Sequence, residues 1–215
     1  ENTFLNMEIY KRLRPKSLTD VIGQDAAVAS LSRFIVGNKL PHALLFTGPS
    51  GTGKTTIARI LKDHLGCGDA DFMEMNCADF KGIDDIRAIR RACQMAPMHG
   101  DCRIWLIDEA HKLTNDAQND FLKLLEDTPR HVYFFLCTTD EKKLIKTIHT
   151  RCSQIKLANL SNWALREVLN NAVDQEKMEV SKDVIEEIIA SSDGSARKAL
   201  VILEQIGSLE SNEKQ

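Results

Sequence analysis

The sequence predicts an α/β protein in which a parallel five-stranded sheet is flanked by helices and followed by a small helical domain. Between His42 and Leu157, short apolar stretches alternate with segments of helical periodicity, which is typical of such a sheet. After Leu157 the strand signals stop and only helical periodicity continues. A chain of 215 residues, 43% of them hydrophobic, can bury a core of this size without a disulfide or a metal ion. We therefore expect a larger α/β domain over residues 1–157 and a three-helix domain over residues 158–215.

Each predicted strand is a short apolar run bounded by turn or polar residues. The runs are Ala43–Phe46, Phe72–Asn76, Arg103–Asp108, Val132–Thr138 and Gln154–Leu157. The helices between them show apolar residues three or four positions apart, and each set is expected to form one buried face. These sets are Ile57, Ile60, Leu61 and Leu65; Ile86, Ile89 and Cys93; and Ala117, Phe121, Leu124 and Leu125.

Three helical segments are predicted after the sheet, joined to it by residues 158–161. Ser181 is placed to act as the N-cap of the second segment, because its side-chain oxygen can accept a bond from a free backbone N–H. The apolar residues that define the segments are Trp163, Leu165, Val168, Leu169 and Ala172; Val184, Ile185, Ile188 and Ile189; and Ala196, Ala199, Leu203 and Ile206.

Composition excludes several classes of protein. The longest clean apolar runs have six residues, such as Val132 to Cys137, and a membrane-spanning helix needs about 20. The 28 basic and 31 acidic residues give a net charge of -3, so any contact with DNA must come from a local patch. The residues Glu1 to Glu8 do not resemble a secretory signal, and we expect a reducing compartment.

The six cysteines, at positions 67, 77, 93, 102, 137 and 152, contain no Cys-x-x-Cys pair. Structural zinc sites use closely spaced ligands, and His64, His99 and His111 are also scattered along the chain. We therefore expect no zinc. The alternative role for these cysteines is that of small buried apolar residues.

A phosphate-binding loop is the strongest motif. The segment from Gly48 to Thr55 fits G-x-x-x-x-G-K-[ST] and lies between a predicted strand and a predicted helix, as that motif requires. Its glycines allow backbone N–H groups to face phosphates, Lys54 is expected to reach the β- and γ-phosphates, and Thr55 offers a hydroxyl to Mg²⁺. The nucleotide-binding candidates here are Gly48, Pro49, Ser50, Gly51, Thr52, Gly53, Lys54, Thr55 and Thr56.

Two adjacent carboxylates, Asp108 and Glu109, end the predicted strand Arg103–Asp108. Such a pair alone is more often a solvated turn or a helix cap. Together with the phosphate loop it predicts that Asp108 holds Mg²⁺, largely through water, and that Glu109 orients and deprotonates an attacking water.

At this point the chain resembles the AAA+ ATPases, and within them the clamp-loader subunits, which include the bacterial DNA polymerase III gamma/tau subunit and the small subunits of replication factor C. The resemblance covers nearly all of residues 8 to 207. The segments 12–15 and 20–24 are similar to the family's N-terminal box, and the acidic segment 108–111 is similar to its acidic box. The box implies that adenine is held by Arg12, Pro15, Val21 and Ile22.

The resemblance also implies roles for four further residues. Thr139 is similar to the sensor 1 residue, and Thr150-Arg151-Cys152 resembles the Ser-Arg-Cys signature of clamp loaders, in which the arginine acts in trans on a neighbouring subunit's ATP. Arg197 corresponds to sensor 2 and is expected to touch the phosphates. Asn76 corresponds to a residue that holds the catalytic Glu109 away from water until DNA arrives; an Asn that ends a strand by bonding the turn backbone is the alternative.

The function expected from this resemblance is ATP binding and hydrolysis in a clamp loader, which loads a sliding clamp on primer-template DNA during replication. ATP and Mg²⁺ are the cofactors, and the other loader subunits, the clamp and DNA are the partners. Two alternatives stay open: an AAA+ DNA motor such as a branch-migration helicase, and a nucleotide-gated scaffold subunit with little turnover. The helical collar domain of clamp loaders and the zinc insertion of gamma/tau are expected to be absent from this chain.

Overall fold

The structure, a computed structural model, describes residues 8–79 and 82–213, with side chains up to residue 208. Its strands are β1 (Ala43–Thr47), β2 (Phe72–Asn76), β3 (Arg103–Asp108), β4 (Val132–Thr138) and β5 (Ser153–Lys156). All strand pairs are parallel, in the order β2-β3-β4-β1-β5. The predicted fold class and strand positions are confirmed, except that β1 is one residue longer and β5 begins and ends one residue earlier.

The α-helices are α1 (Ile9–Arg12), α2 (Asp25–Val36), α3 (Lys54–His64), α4 (Ile83–Cys93), α5 (Asn115–Glu126), α6 (Lys146–Arg151), α7 (Asn162–Glu176), α8 (Lys182–Ser191) and α9 (Ala196–Glu213). Short 3-10 turns precede α2, β2 and α6 and follow β3. None of the helices in this described part of the chain combines the length and apolarity that crossing a bilayer requires.

The contacts divide the chain into two compact units. One unit, the sheet unit, comprises residues 29–48 and 54–157. The other, the helical unit, comprises the described residues up to Val28, the loop Pro49–Gly53 and the segment from Ala158 onward.

The sheet unit is held together by a core between the sheet and α4 to α6. The central strands β1 and β4 are buried along almost their whole length, as their unbroken apolar sequences require. Phe121 of α5 meets Phe134 of β4 edge to face, with ring centroids 5.2 Å apart. Most residues of the predicted apolar helix faces are buried in this unit, including Ile57 of α3 and Ile89 of α4, whereas Leu65 and Leu125 are half-buried.

A buried ion pair fixes the amino-terminal end of β3. The Arg103 guanidinium lies 2.8 Å from Asp71 Oδ1, and its Nη1 donates to the Ala92 carbonyl at 2.6 Å. The other Asp71 oxygen accepts from the His99 backbone N–H at 2.7 Å. Burial acts to raise the pKa of Asp71, but the backbone N–H groups of His99 and Met98 and the Arg103 guanidinium outweigh it, so this pKa is lowered.

The helical unit has its own core, in which α1 and α7 to α9 pack together around residues such as Leu165, Ile188 and Leu203. Ser161 and Ser181 cap α7 and α8, accepting from Ala164 N and Val184 N at 3.2 and 3.4 Å. The predicted N-cap role of Ser181 is thus confirmed.

Candidate functional site

The phosphate loop has positive φ angles at its three glycines, Gly48, Gly51 and Gly53, and a side chain would also collide at the first two. Gly48 and Gly51 have φ angles of 143° and 75°. A Cβ on Gly48 would lie 2.2 Å from the Leu157 carbonyl oxygen, and one on Gly51 would lie 2.1 Å from Ser195 Oγ. The backbone path of this loop therefore depends on the absence of a side chain at both positions.

The buried side chain of Gln24 anchors the loop within the helical unit. Its Nε2 donates to the carbonyls of Thr52 and Ala158 at 3.2 and 2.8 Å, while its Oε1 accepts from Ala158 N at 3.2 Å. Thr52 adds an internal bond from its hydroxyl to the Pro49 carbonyl at 2.9 Å. Sequence reasoning placed Gln24 in the N-terminal box without a role, because its partners lie 28 and 134 residues away.

Lys54 begins α3 and is buried, with its Nζ 2.7 Å from the Gly48 carbonyl oxygen. Thr55 and Thr56, the next two residues of α3, are half-buried, whereas Pro49 and Ser50 are exposed. A buried ammonium group carries a desolvation cost, and a phosphate anion nearby would lower that cost.

The acidic pair lies at the carboxyl end of β3. Asp108 is the last residue of the strand, and its Oδ1 accepts from Glu109 N at 2.9 Å. Glu109 itself has a left-handed backbone, with φ 54° and ψ 40°. Such a conformation is strained for a residue other than glycine, and strain of this kind is concentrated at functional sites.

The Glu109 carboxylate meets residues from the end of β4 and from the turn that follows β3. Thr139 Oγ1 donates to Glu109 Oε2 at 3.2 Å, and His111 Nδ1 lies 3.3 Å from the same oxygen. In the sheet order β4 lies between β1 and β3, so its carboxyl end separates the strands that carry the phosphate loop and the acidic pair. The structure thus brings Glu109 and Thr139 together, with His111 as an additional partner that sequence reasoning missed.

Asn76 ends β2 opposite Asp108 in the strand register. Its Oδ1 accepts from Ala78 N at 2.9 Å, the turn bond that an Asn after a strand often makes. Among the described residues, the Glu109 carboxylate accepts a hydrogen bond from Thr139 and lies 3.3 Å from His111 Nδ1, whereas Asn76 makes no hydrogen bond to it.

Two of the predicted site arginines form ion pairs within the chain. Arg151, the last residue of α6, pairs with Glu126 of α5. Arg12 lies 2.6 Å from Glu176 of α7.

Arg197 lies in the first turn of α9, exposed, with its guanidinium carbon 5.5 Å from the centre of the Tyr10 ring. It also lies beside the phosphate loop, since a Cβ on Gly51 would be 3.2 Å from Arg197 Cβ. Among the predicted arginines, Arg197 therefore lies at a short distance from the loop.

The remaining adenine candidates, Pro15, Val21 and Ile22, are half-buried in the helical unit. Ile22 packs against the core of that unit. Their partial exposure leaves apolar surface for contact with a flat ligand.

Lys81, Arg87, Arg90 and Arg91 form a local basic cluster in the sequence, which is a candidate for DNA contact or simply a solvated helix face, and two of its arginines are neutralised by ion pairs. Arg87 pairs with Asp84 at 3.0 Å, and Arg90 pairs with Asp120 at 3.2 Å. Lys81, which belongs to the same sequence cluster, lies outside the described residues.

All six cysteines are buried and none forms a disulfide, as expected of small apolar residues. Burial raises the pKa of Cys77 and of Cys152 to about 12. Within residues 8–79 and 82–213, no group of three His, Cys, Asp or Glu side chains is arranged to hold a metal ion.

Comparisons with known proteins agree with this geometry. A family model described as "DNA polymerase III, delta subunit" matches residues 78–161, and one described as "Sigma-54 interaction domain" matches residues 21–83. Among solved structures, Thermotoga maritima RuvB, a Holliday junction branch migration motor, aligns with a TM-score of 0.77 over 94% of this chain and 67% of its own. At 24% identity that likeness concerns the fold alone.

Among curated proteins, DNA polymerase III subunit tau of Bacillus subtilis is 33% identical over 92% of this chain, and subunit tau of Escherichia coli is 32% identical over 91%. The chain spans 39% and 34% of the lengths of these two relatives. The phosphate loop, the acidic pair and this sequence similarity together show that the chain belongs to the AAA+ family and is a homologue of the DNA polymerase III tau and gamma/tau subunits.

Proposed function

We propose that this chain is the ATP-binding and hydrolysing part of a DNA polymerase clamp-loader subunit, which couples ATP to the loading of a sliding clamp on primed DNA. The observation that carries the proposal is the arrangement at the carboxyl edge of the sheet. A phosphate loop follows β1, the pair Asp108 and Glu109 ends β3, and Thr139 follows the intervening β4. Among the processes that use ATPases of this type, the homology with DNA polymerase III subunits favours DNA replication.

ATP and Mg²⁺ fit the residues at hand. The buried Lys54 ammonium group suits the β- and γ-phosphates, and the backbone of residues 48–53 is free of side chains at the two glycines where a Cβ would collide. Thr55 and Asp108 are the oxygen donors for Mg²⁺, held largely through water. When bound, the metal ion neutralises charge that develops on the phosphates.

Glu109 acts as the general base in this proposal. Its carboxylate can accept a proton from water, and Thr139 donates a hydrogen bond to one of its oxygens. Once ATP is bound, the Thr139 hydroxyl is the group that can sense the γ-phosphate.

Arg151 is proposed to act on the ATP of a neighbouring subunit. In the single chain its guanidinium is held by Glu126, so assembly must exchange that carboxylate for phosphate. Arg197 and Arg12 are proposed to contact the nucleotide held by their own chain. An isolated chain is then expected to be a poor ATPase, because an arginine finger contributes about 10³- to 10⁵-fold.

The proposed partners are the other clamp-loader subunits, the sliding clamp and primer-template DNA, in the cytoplasm of a bacterium or of a phage-infected cell. The related subunits are bacterial DNA polymerase III proteins, and this chain covers only part of their length. Partners and activity of the whole assembly therefore belong to the proposal.

Steady-state ATP hydrolysis by the full-length protein with its partner subunits tests this function. Turnover should rise when primed DNA and the cognate clamp are added together. Lys54→Ala should abolish ATP binding or turnover while the protein stays folded, because Lys54 contributes its charge to phosphate binding. Nucleotide affinity and turnover that both equal those of the parent would contradict the proposal.

Mixing experiments test the direction in which Arg151 acts. Arg151→Ala should leave the ATP affinity of the isolated chain unchanged and lower turnover of the assembly by about 10³- to 10⁵-fold. Assemblies that mix it with Lys54→Ala should regain some activity, because some junctions then pair an intact ATP site with an intact arginine. Weaker ATP binding by the monomeric variant, or no rescue on mixing, would show action in cis.

Two other outcomes would favour the alternative functions. Stimulation by branched DNA without any clamp would indicate a DNA motor, the activity named for the solved structure that shares this fold. Tight ATP binding with no turnover in the full assembly would indicate a nucleotide-gated scaffold, in which Arg151 remains paired with Glu126.

A further inference from the structure

The largely buried ring of His111 lies against the acidic pair and is not used in the function proposed above. Its side chain is 10% exposed, and its Nδ1 faces two oxygens: Thr138 Oγ1 at 3.0 Å and Glu109 Oε2 at 3.3 Å. Thr139 Oγ1 approaches the same Glu109 oxygen at 3.2 Å. One oxygen of the Glu109 carboxylate thus has two polar neighbours from different parts of the sheet unit.

The contact with the carboxylate favours one tautomer of the His111 ring. An ionised carboxylate only accepts hydrogen bonds, so an unprotonated Nδ1 would direct its lone pair at a negative oxygen. Thr138 Oγ1 accepts from Asp140 N at 3.1 Å and has a second lone pair with which it can also accept from a protonated Nδ1. When Nδ1 is protonated, its hydrogen lies between Thr138 Oγ1 at 3.0 Å and Glu109 Oε2 at 3.3 Å, and its positive end is attracted to the carboxylate.

The backbone of Glu109 makes such a partner necessary. Its left-handed conformation, with φ at 54°, lies outside the regular strand, so the strand does not restrict the direction of the side chain. Its carboxylate is partly exposed, at 28%, and the packing around it is incomplete. The polar contacts at Oε2 with Thr139 and His111 therefore restrict its orientation.

Thr139 and His111 differ in whether they are expected to keep their contact with Glu109 when ATP binds. If Thr139 turns its hydroxyl to the γ-phosphate when ATP binds, Glu109 loses that partner. The His111 ring is largely covered by protein, and its Nδ1 lies between Thr138 Oγ1 and Oε2 of Glu109, where no phosphate is expected to compete for it. Resting on the function proposed above, we propose that His111 is a positioning residue, whose Nδ1–H holds Oε2 of Glu109 so that Oε1 is left to accept the proton of the attacking water.

A kinetic test uses the full-length protein in its assembled complex with primed DNA and clamp. His111→Ala should lower kcat by about 10- to 100-fold, since a misplaced catalytic group costs that much, with KM for ATP within twofold of the parent. His111→Asn should restore most of kcat, because its amide nitrogen lies close to the position of Nδ1 and donates a hydrogen bond. His64→Ala, at the exposed end of α3, is the matched control and should leave kcat unchanged.

A second test needs neither ATP nor partners. In the nucleotide-free chain labelled with ¹⁵N-histidine, NMR should find His111 in the Nδ1-protonated tautomer, and Glu109→Ala should shift the His111 ring signals but not those of His64. The Nε2-protonated tautomer in the parent, or unchanged His111 signals in Glu109→Ala, would overturn the inference. This result does not depend on whether His111→Ala folds.

The variants separate failure of this inference from failure of the proposed function. If Glu109→Gln does not slow turnover, the base assigned in the proposed function is wrong. If Glu109→Gln slows turnover and His111→Ala does not, or if His111→Asn fails to rescue, the inference about His111 alone is wrong. In a Glu109→Gln background, His111→Ala should cause no further loss, and an additional tenfold loss would show that His111 acts elsewhere.

Discussion

The two ends of β3 carry charged residues in opposite circumstances. At the amino-terminal end, Arg103 and Asp71 are 8% and 0% exposed, and several hydrogen bonds satisfy both groups. At the carboxyl end, Asp108 and Glu109 are half-buried, and Glu109 has a strained backbone. One strand of six residues thus has a buried, fully hydrogen-bonded ion pair at one end and partly exposed carboxylates at the other.

The amino-terminal end of β3 is therefore expected to matter for stability, and the carboxyl end for function. A buried ion pair tolerates the loss of neither partner, because the remaining charge would be left in a medium of low polarity. An open carboxylate can change partners, as a general base must, and contributes little to folding. We therefore expect substitutions at the two ends to have effects of different kinds.

The largest effect is expected at the carboxyl end, from Glu109→Gln in the assembled complex. Glutamine keeps the size of the side chain but cannot accept the proton of the attacking water, so turnover should fall by about 10²- to 10⁴-fold. ATP binding and the melting temperature should remain those of the parent. ATP hydrolysis and thermal unfolding measure both, and turnover within a factor of two of the parent would remove Glu109 from this role.

At the amino-terminal end, Asp71→Asn should reduce the free energy of unfolding by about 3–5 kcal/mol, since it leaves the buried Arg103 without its counter-charge. Urea unfolding of the chain measures this change. Glu186→Gln is the matched control: Glu186 forms an exposed pair with Arg166, and its loss should cause no resolvable change. Equal effects of the two substitutions would show that burial does not distinguish these ion pairs.

The same buried pair predicts how acid affects stability. The pKa of Asp71 is lowered in the folded chain, so the folded state favours the charged carboxylate more than the unfolded state does. Its contribution is present above the unfolded pKa, near 3.9, and is lost as pH falls through the lower folded value. Unfolding free energies measured from pH 5 downward should fall less steeply for Asp71→Asn than for the parent.

The smallest effect isolates the strain at Glu109. Glu109→Gly should be more stable than Glu109→Ala by about 1 kcal/mol, because both lose the carboxylate contacts and only glycine relieves the left-handed backbone. Lys177, which has φ 53° at the end of α7, is the control. The Lys177→Gly variant should be more stable than Lys177→Ala by a similar amount. Thermal unfolding of the four variants measures these differences. Equal stability of Glu109→Ala and Glu109→Gly would show that the backbone at position 109 is not strained.

Sequence alone predicted the features that depend on neighbours within a few residues. Alternation of apolar runs and helical periodicity placed all five strands within one residue of their observed ends, and the Ser181 cap follows from its own side chain and the next turn. The phosphate loop and the acidic pair could also be recognised in the sequence, because their chemistry requires particular residue types at a short fixed spacing.

The contacts that give these residues their surroundings depend on strand order and on packing between distant segments. The Gln24 bonds to the loop, the Arg103 pair with Asp71 and the Arg151 pair with Glu126 join residues from 25 to 134 positions apart. No local pattern marks such partners, because any exposed carboxylate on the chain would suit an arginine equally well. Only the order β3-β4-β1 brings Thr139 to Glu109, and only the turn after β3 folds His111 back onto the same carboxylate.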